Sequence, residues 1–154
     1  MRIEGGATAR TYRLTALRRL GNWLLGILLR IGVNLGPTVL LTVSGRRTGR
    51  LYSTPVIPVE EAGQRWLVAP YGAVGWVRNA RAAGWVSLRR RGRSERVRIL
   101  EADPEEAASV LKAYVQRVSI VRPYFDAGPD DPPEAFVPEA PRHPVFRIVG
   151  PAFP

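Results

Sequence analysis

Between Thr11 and Ile31 apolar residues recur every three or four positions: Leu17, Leu20, Leu24, Ile27 or Leu28, and Ile31. That period predicts an amphipathic helix over 11–31. Strand signals follow at Thr38–Ser44, Leu51–Val59 and Arg65–Ala69, the last two separated by the turn "EEAGQ". In "YGAVGWVRNARAAG" the helical spacing returns at Val74, Val77 and Ala80 or Arg81, predicting a short helix that ends at Gly84. "WVSLRR" and "ERVRILEA" read as a hairpin closed by "RGRS". Asp103, Pro104 and Glu106 carry the marks of an N-cap, a first helical position and a capping box. They start a helix over 104–121 whose buried face is Ala107, Val110, Leu111, Tyr114 and Val118. "GPDDPPEAFVPEAPRHP" is a long Pro-rich loop, and "VFRIVG" is a last strand.

The elements sum to an α+β fold with about six short strands and flanking helices. Hairpin-length connections make the sheet mainly antiparallel, and about six twisting strands curl into a small barrel that hides their edges. The 154 residues, 45% hydrophobic, suit a single domain with one core. Within it, 11–31 forms the first helix and 38–154 the barrel.

Charge changes this picture. The net charge is +10, and no Asp or Glu lies between Gly5 and Val59. Arg10, Arg13, Arg18, Arg19, Arg30, Arg46, Arg47 and Arg50 all fall in that stretch, whereas the acids gather mainly from Glu95 to Glu139. A positive half-chain implies an anionic partner. Arg-rich composition with Lys112 as the sole lysine accounts for part of the excess, but not for the missing acids. The absence of cysteine excludes disulfides, thiolate nucleophiles and cysteine-ligated metals, and fits a reducing cytoplasm. The one histidine, His143, excludes a histidine-rich metal site and reads as structural between Arg142 and Pro144.

The apolar part of 11–31 is too short to span a bilayer, which takes about 20 such residues. Two readings of that helix stay open: packing on the domain, or lying in a membrane interface with Trp23 as anchor.

Three stretches carry candidate chemistry. In "SGRRTGR", Gly45 and Gly49 let the backbone bend so that N–H groups converge, and Arg46, Arg47 and Thr48 add anion-gripping donors. In "APYGAVGWVRN", glycines after a strand end admit a ligand close to the backbone, with Tyr71 and Trp76 to face a flat ring. "RPYFD" places the Tyr124 phenol at the end of the long helix. "RRRGR", Arg89–Arg93, reads as a solvated hairpin tip. It lacks the interleaved aromatics of a nucleic-acid binder, so no nucleic-acid partner is expected.

Together, "LLTVSGRRTGRLYSTPV" and "GWVRNARAAG" resemble the deazaflavin-dependent nitroreductase and quinone reductase family, actinobacterial split-β-barrel oxidoreductases that bind coenzyme F420. The resemblance covers about Leu40 to Pro154. It implies that Gly45, Arg46, Arg47 and Thr48 hold the phosphate and acidic tail of the cofactor. Tyr52, Ser53, Thr54, Pro55 and Val56 would run beside it, with Pro55 and Val56 near the ring. Val68, Ala69, Pro70 and Tyr71 would contact the ring and its ribityl chain, and Trp76, Val77, Arg78 and Asn79 would close the site. Tyr124, with Tyr71, would face the acceptor. Tyr52 stands where many members carry a basic residue. The implied reaction is hydride transfer from reduced deazaflavin to a quinone, enone or nitro group. A non-catalytic F420 carrier and an FMN-binding relative are the alternatives, and the long polyanionic tail suits the Arg cluster better than the one phosphate of FMN.

Overall fold

The computed structural model describes residues 36–152; the helix predicted over 11–31, with its membrane contact, lies outside them. Seven strands form one sheet: β1 (Val39–Ser44), β2 (Leu51–Val56), β3 (Val59–Glu61), β4 (Gln64–Val68), β5 (Trp85–Arg90), β6 (Arg93–Glu101) and β7 (Val145–Pro151). Their order is β2-β1-β5-β6-β7-β4-β3, and every neighbouring pair is antiparallel. Two helices, α1 (Gly75–Ala83) and α2 (Pro104–Arg117), and two 3-10 segments, Ser119–Tyr124 and Pro133–Glu139, complete it. No described helix is long and apolar enough to cross a membrane.

The topology forces the sheet to curl. β2 and β3 are its two opposite edges, yet only Ile57 and Pro58 separate them in sequence. Three peptide steps span at most about 11 Å, so the edges must approach one another, and the sheet becomes a half-barrel. The sequence predicts one strand over 51–59. The structure breaks it at Ile57–Pro58, because proline donates nothing to a ladder and the chain must change edges there. Pro55 sits within β2, which an edge strand tolerates.

Two cores lie on the two faces of the curled sheet. Inside the barrel Val39, Leu41, Val43, Leu67, Val86, Val97 and Phe146 pack with Val77 and Ala80 of α1. On the outer side of β3, β4 and β7, the α2 residues Ala107, Val110, Leu111 and Tyr114 meet Trp66, Val68 and Val145. Successive β4 residues therefore serve opposite cores, Trp66 and Val68 one, Leu67 and Ala69 the other, as the two-residue strand period requires. β3–β4 and β5–β6 close through Ala62–Gly63 and Arg91–Gly92, with positive φ at all four residues, the mirror-image turn that matches strand twist.

α2 begins as predicted, with the Asp103 carboxylate accepting the Glu106 N–H at 2.8 Å. It stops at Arg117 rather than 121, and the chain tightens into the 3-10 segment that carries Tyr124. The Pro-rich stretch is wrapped into the structure: Phe136 is fully buried, and Glu139, Ala140 and His143 are buried beside it. This strap passes behind the loop that follows β4.

Candidate functional site

The β1–β2 turn is closed from within. The Gly45 N–H donates to the Arg50 carbonyl at 2.7 Å, and the Gly49 N–H to the Gly45 carbonyl at 2.9 Å. The Arg50 N–H donates to the Thr48 hydroxyl at 3.3 Å. The Arg46 N–H donates to Asn79 Oδ1 at 3.1 Å, and Arg46 Nη1 reaches the same oxygen at 2.8 Å. Most of the N–H groups expected to converge on an anion are thus engaged inside the protein. The exposed guanidiniums of Arg47 and Arg50 make no hydrogen bond or ion pair among the described residues. They are the cationic donors the turn offers outward.

Gly45 is needed for space. A Cβ there would lie 2.7 Å from Tyr52 Cε2 and 3.0 Å from the Arg50 carbonyl oxygen. The Tyr52 ring therefore leans on the turn's first residue and forms one wall of the cradle.

Strand register divides the β2 residues. Tyr52, Thr54 and Val56 pair with Val43, Leu41 and Val39, whose side chains enter the barrel core, so these three share the inner face with α1. Ser53 and Pro55 point the other way, and Ser53 shares a 2.7 Å hydroxyl hydrogen bond with Thr42. The two-residue period turns the Pro55 and Val56 side chains, both expected near the ring, to opposite faces of β2.

After β4, Val68 and Ala69 are buried in the two cores. They offer a ligand only backbone. Pro70 and Tyr71 are half-buried, and the Tyr71 ring meets the Tyr124 ring edge-to-face, with centroids 4.9 Å apart. The structure thus brings together the two tyrosines named from sequence. Burial pushes the Tyr114 phenol on α2 well above its ordinary value, and the Tyr71 phenol adds to the shift. Tyr114 belongs to the same aromatic group, which sequence reasoning placed only in the helix core.

α1 carries the next four candidate residues, Trp76, Val77, Arg78 and Asn79. Val77 is fully buried in the barrel core and closes nothing outward; Arg78 is exposed; Trp76 packs at 5.8 Å on Phe146 while part of it remains accessible. Asn79 is buried with 6% exposure and turned to Arg46. A groove of about 300 Å³ on the opposite face of the sheet, over Leu40, Thr42, Trp85 and Ser87, contains none of the predicted residues.

Sequence reasoning also missed a polar cluster behind the tyrosines. The buried Glu139 carboxylate accepts the Asp126 N–H at 3.1 and 3.2 Å and pairs with Arg142, which also reaches Asp126 at 2.6 Å. His143 Nδ1 lies 2.7 Å from the Pro70 carbonyl. The available signal was Glu139 and His143 four residues apart in a stretch read as a plain loop.

A family model described as F420H(2)-dependent quinone reductase matches residues 25–125. No curated protein matches the chain. Among solved structures, a domain-swapped dimer is 24% identical, with a TM-score of 0.56 over 86% of this chain and 96% of the other. An F420-H2 dependent reductase, FDR-A, is 24% identical, with a TM-score of 0.52 over 73% of this chain and 94% of the other. A protein of unknown function from Agrobacterium tumefaciens is 15% identical, with a TM-score of 0.57 over 94% of this chain and 60% of the other. At these identities the likeness is one of fold.

Proposed function

This chain belongs to the F420H(2)-dependent quinone reductase family, and from that membership we propose that it uses reduced coenzyme F420 to reduce a small quinone, with enones and nitro compounds as further acceptors. The observation that carries the reading is the β1–β2 turn: its own hydrogen bonds and Asn79 fix it, and it presents the Arg47 and Arg50 guanidiniums outward, while the loop after β4 supplies the Tyr71–Tyr124 pair. Such a site suits a long molecule with a flat head and a multiply negative tail.

The residues fit that cofactor. Arg47 and Arg50 offer planar donor forks without partners among the described residues, and no acid lies nearby in sequence before Glu60. The turn is held by its own hydrogen bonds, so the guanidiniums act from a fixed base. Arg46, Arg47 and Thr48 would hold the tail. Tyr52, Thr54 and Val56 would line its path, and Pro70, Tyr71 and Trp76 would flank the head.

When bound, reduced F420 supplies a hydride. The chain's own part is to bind the tail, orient the head and keep water from one face of it with Trp76 and Tyr71. A phenol O–H of Tyr71 or Tyr124 donates a hydrogen bond to the acceptor oxygen, drawing negative charge onto that atom as the hydride arrives. A proton from solvent completes the two-electron reduction of a quinone to its hydroquinone.

Titration of the pure protein with F420 and with FMN, read by fluorescence, tests the cofactor. Mixing with reduced F420 and menadione tests the reaction. Tight F420 binding, weaker FMN binding and oxidation of the cofactor by menadione are expected. Preference for FMN overturns the cofactor; tight F420 binding without oxidation by any acceptor makes the protein a carrier.

A further inference from the structure

We infer that His143 is a positioning residue: it holds the two chain segments that carry Tyr71 and Tyr124 and so sets their edge-to-face contact. Its bearing on turnover rests on the acceptor-side role proposed for those tyrosines; the geometric claim does not.

His143 touches both segments through the tyrosines' immediate sequence neighbours. Its Nδ1 donates to the carbonyl of Pro70, the residue before Tyr71, at 2.7 Å. Its ring stacks on Phe125, the residue after Tyr124, with centroids 3.9 Å apart and planes 20° apart. Two further contacts tie the same strap to the Tyr71 loop. The Ala69 N–H donates to the Pro144 carbonyl at 2.8 Å. A Cβ on Gly72 would lie 3.4 Å from the Arg142 carbonyl, so strap and loop touch on both sides of Tyr71.

The chemistry needs an imidazole in one tautomer. A carbonyl oxygen only accepts, so the ring proton must sit on Nδ1. Nε2 then presents a lone pair. Among the described residues it is buried without a hydrogen-bond partner, and it lies 3.9 Å from Glu139 Oε2. Burial, chiefly, lowers the His143 pKa to about 4, so the ring is a neutral donor at physiological pH. The Glu139 carboxylate is itself fixed by the Asp126 N–H and Arg142. That bracing holds the base of the strap while the ring bonds forward to Pro70. Phenylalanine would keep the stack and lose the donor; asparagine would keep a donor near Nδ1 and lose the ring. Only histidine supplies both. His143 and Glu139 also lie beyond the residues that the family model matches, so the brace belongs to this chain's C-terminal part.

The test uses the whole protein with 13C-labelled tyrosine, its signals assigned with Y71F and Y124F. H143F is expected to move both the Tyr71 and Tyr124 signals, since each ring senses the other. It is expected to slow oxidation of reduced F420 by menadione about tenfold, an effect of misplacement. H143N, which keeps the donor toward Pro70 and loses the stack on Phe125, is expected to restore the Tyr71 side more than the Tyr124 side and to recover part of the rate. Tyrosine signals unmoved in H143F overturn the inference; signals moved without any fall in rate support the positioning and overturn the acceptor-side role of the tyrosines. Should H143F not fold, the nitrogen spectrum of this sole histidine decides at neutral pH: a protonated Nδ1 supports the claim and a protonated Nε2 overturns it. A wild-type protein without turnover instead sinks the functional reading, and the tyrosine and histidine spectra then decide positioning alone.

Discussion

Asn79 Oδ1 accepts two hydrogen bonds from one residue, the backbone N–H and the Nη1 of Arg46. A buried amide on α1 thereby fixes a turn thirty-three residues earlier in the chain. Replacing Asn79 with leucine leaves the Arg46 N–H without its partner and releases the guanidinium. A stability loss of about 1–3 kcal/mol follows from an unmade buried hydrogen bond, and F420 affinity falls with it. Asn79→Asp keeps both bonds but adds a negative charge beside the tail. The aspartate variant is therefore expected to melt near the wild-type temperature and still bind F420 more weakly. Thermal melts alongside titrations check the pair; equal melting of the leucine variant and wild type would contradict the role given to the amide.

Arg46 and Arg47 are neighbours with different duties. Arg47 has no partner among the described residues, whereas Arg46 also satisfies Asn79. Arg47→Ala is expected to weaken F420 binding about 10- to 100-fold, the weight of a charge-assisted hydrogen bond, with little change in melting temperature. Arg46→Ala is expected to lower both. Raising salt should weaken F420 binding to wild type more than to Arg47→Ala, since exposed charges are screened. Equal salt dependence in the two would argue against contact between Arg47 and the tail.

Gly45 and Tyr52 form a close pair that a methyl group would disrupt. Gly45→Ala places a Cβ 2.7 Å from the Tyr52 ring and 3.0 Å from the Arg50 carbonyl. The half-exposed ring can swing aside, but the carbonyl is part of the turn's own ladder. A loss of about 1–3 kcal/mol is expected, as for other overpacked sites. Adding Tyr52→Ala should recover part of it, because the two changes share one contact. Denaturation of both single variants and the double variant gives the coupling; strict additivity would show that the ring is not the obstacle.

Periodicity reveals what each residue faces within an element, and those features were legible in the sequence. The Asp103 cap, the α2 core residues and the αL end of α1 at Gly84 appear as the pattern predicts. What the pattern lacks is long-range pairing. Nothing local says that β2 and β3 are opposite edges, so Leu51–Val59 reads as one strand until the topology forces a break at Pro58. The resemblance gives Val77 and Asn79 of "GWVRN" the same role of closing the site, yet one enters the barrel and the other faces Arg46. The strap reads as a plain loop because proline suppresses helix signals, although Pro133–Glu139 forms a 3-10 segment. The tyrosine pair was named residue by residue, but its contact depends on that strap.

The polar cluster predicts a pH dependence made of two opposing parts. His143 has an ordinary value of 6.5, lowered to about 4 chiefly by burial, with the Arg142 charge opposing its protonation and Asp126 favouring it. Between those values the unfolded chain takes up a proton that the folded chain refuses. The histidine's contribution is therefore whole above pH 6.5 and declines as the pH falls toward about 4, by up to about 3 kcal/mol. Glu139 behaves in the opposite sense. Burial raises its carboxyl above the ordinary 4.5, against the pull of the Asp126 N–H and Arg142. The folded chain protonates it first, so acid relieves a buried charge and adds stability in part of the same range. Glu139→Gln removes the second part, and its stability is expected to fall more steeply than wild type as the pH drops below 6.5. His143→Asn removes the first part, and its curve is expected to flatten there relative to wild type. Urea midpoints followed across that range measure both slopes. An H143N curve parallel to wild type would show that His143 does not resist protonation in the folded state.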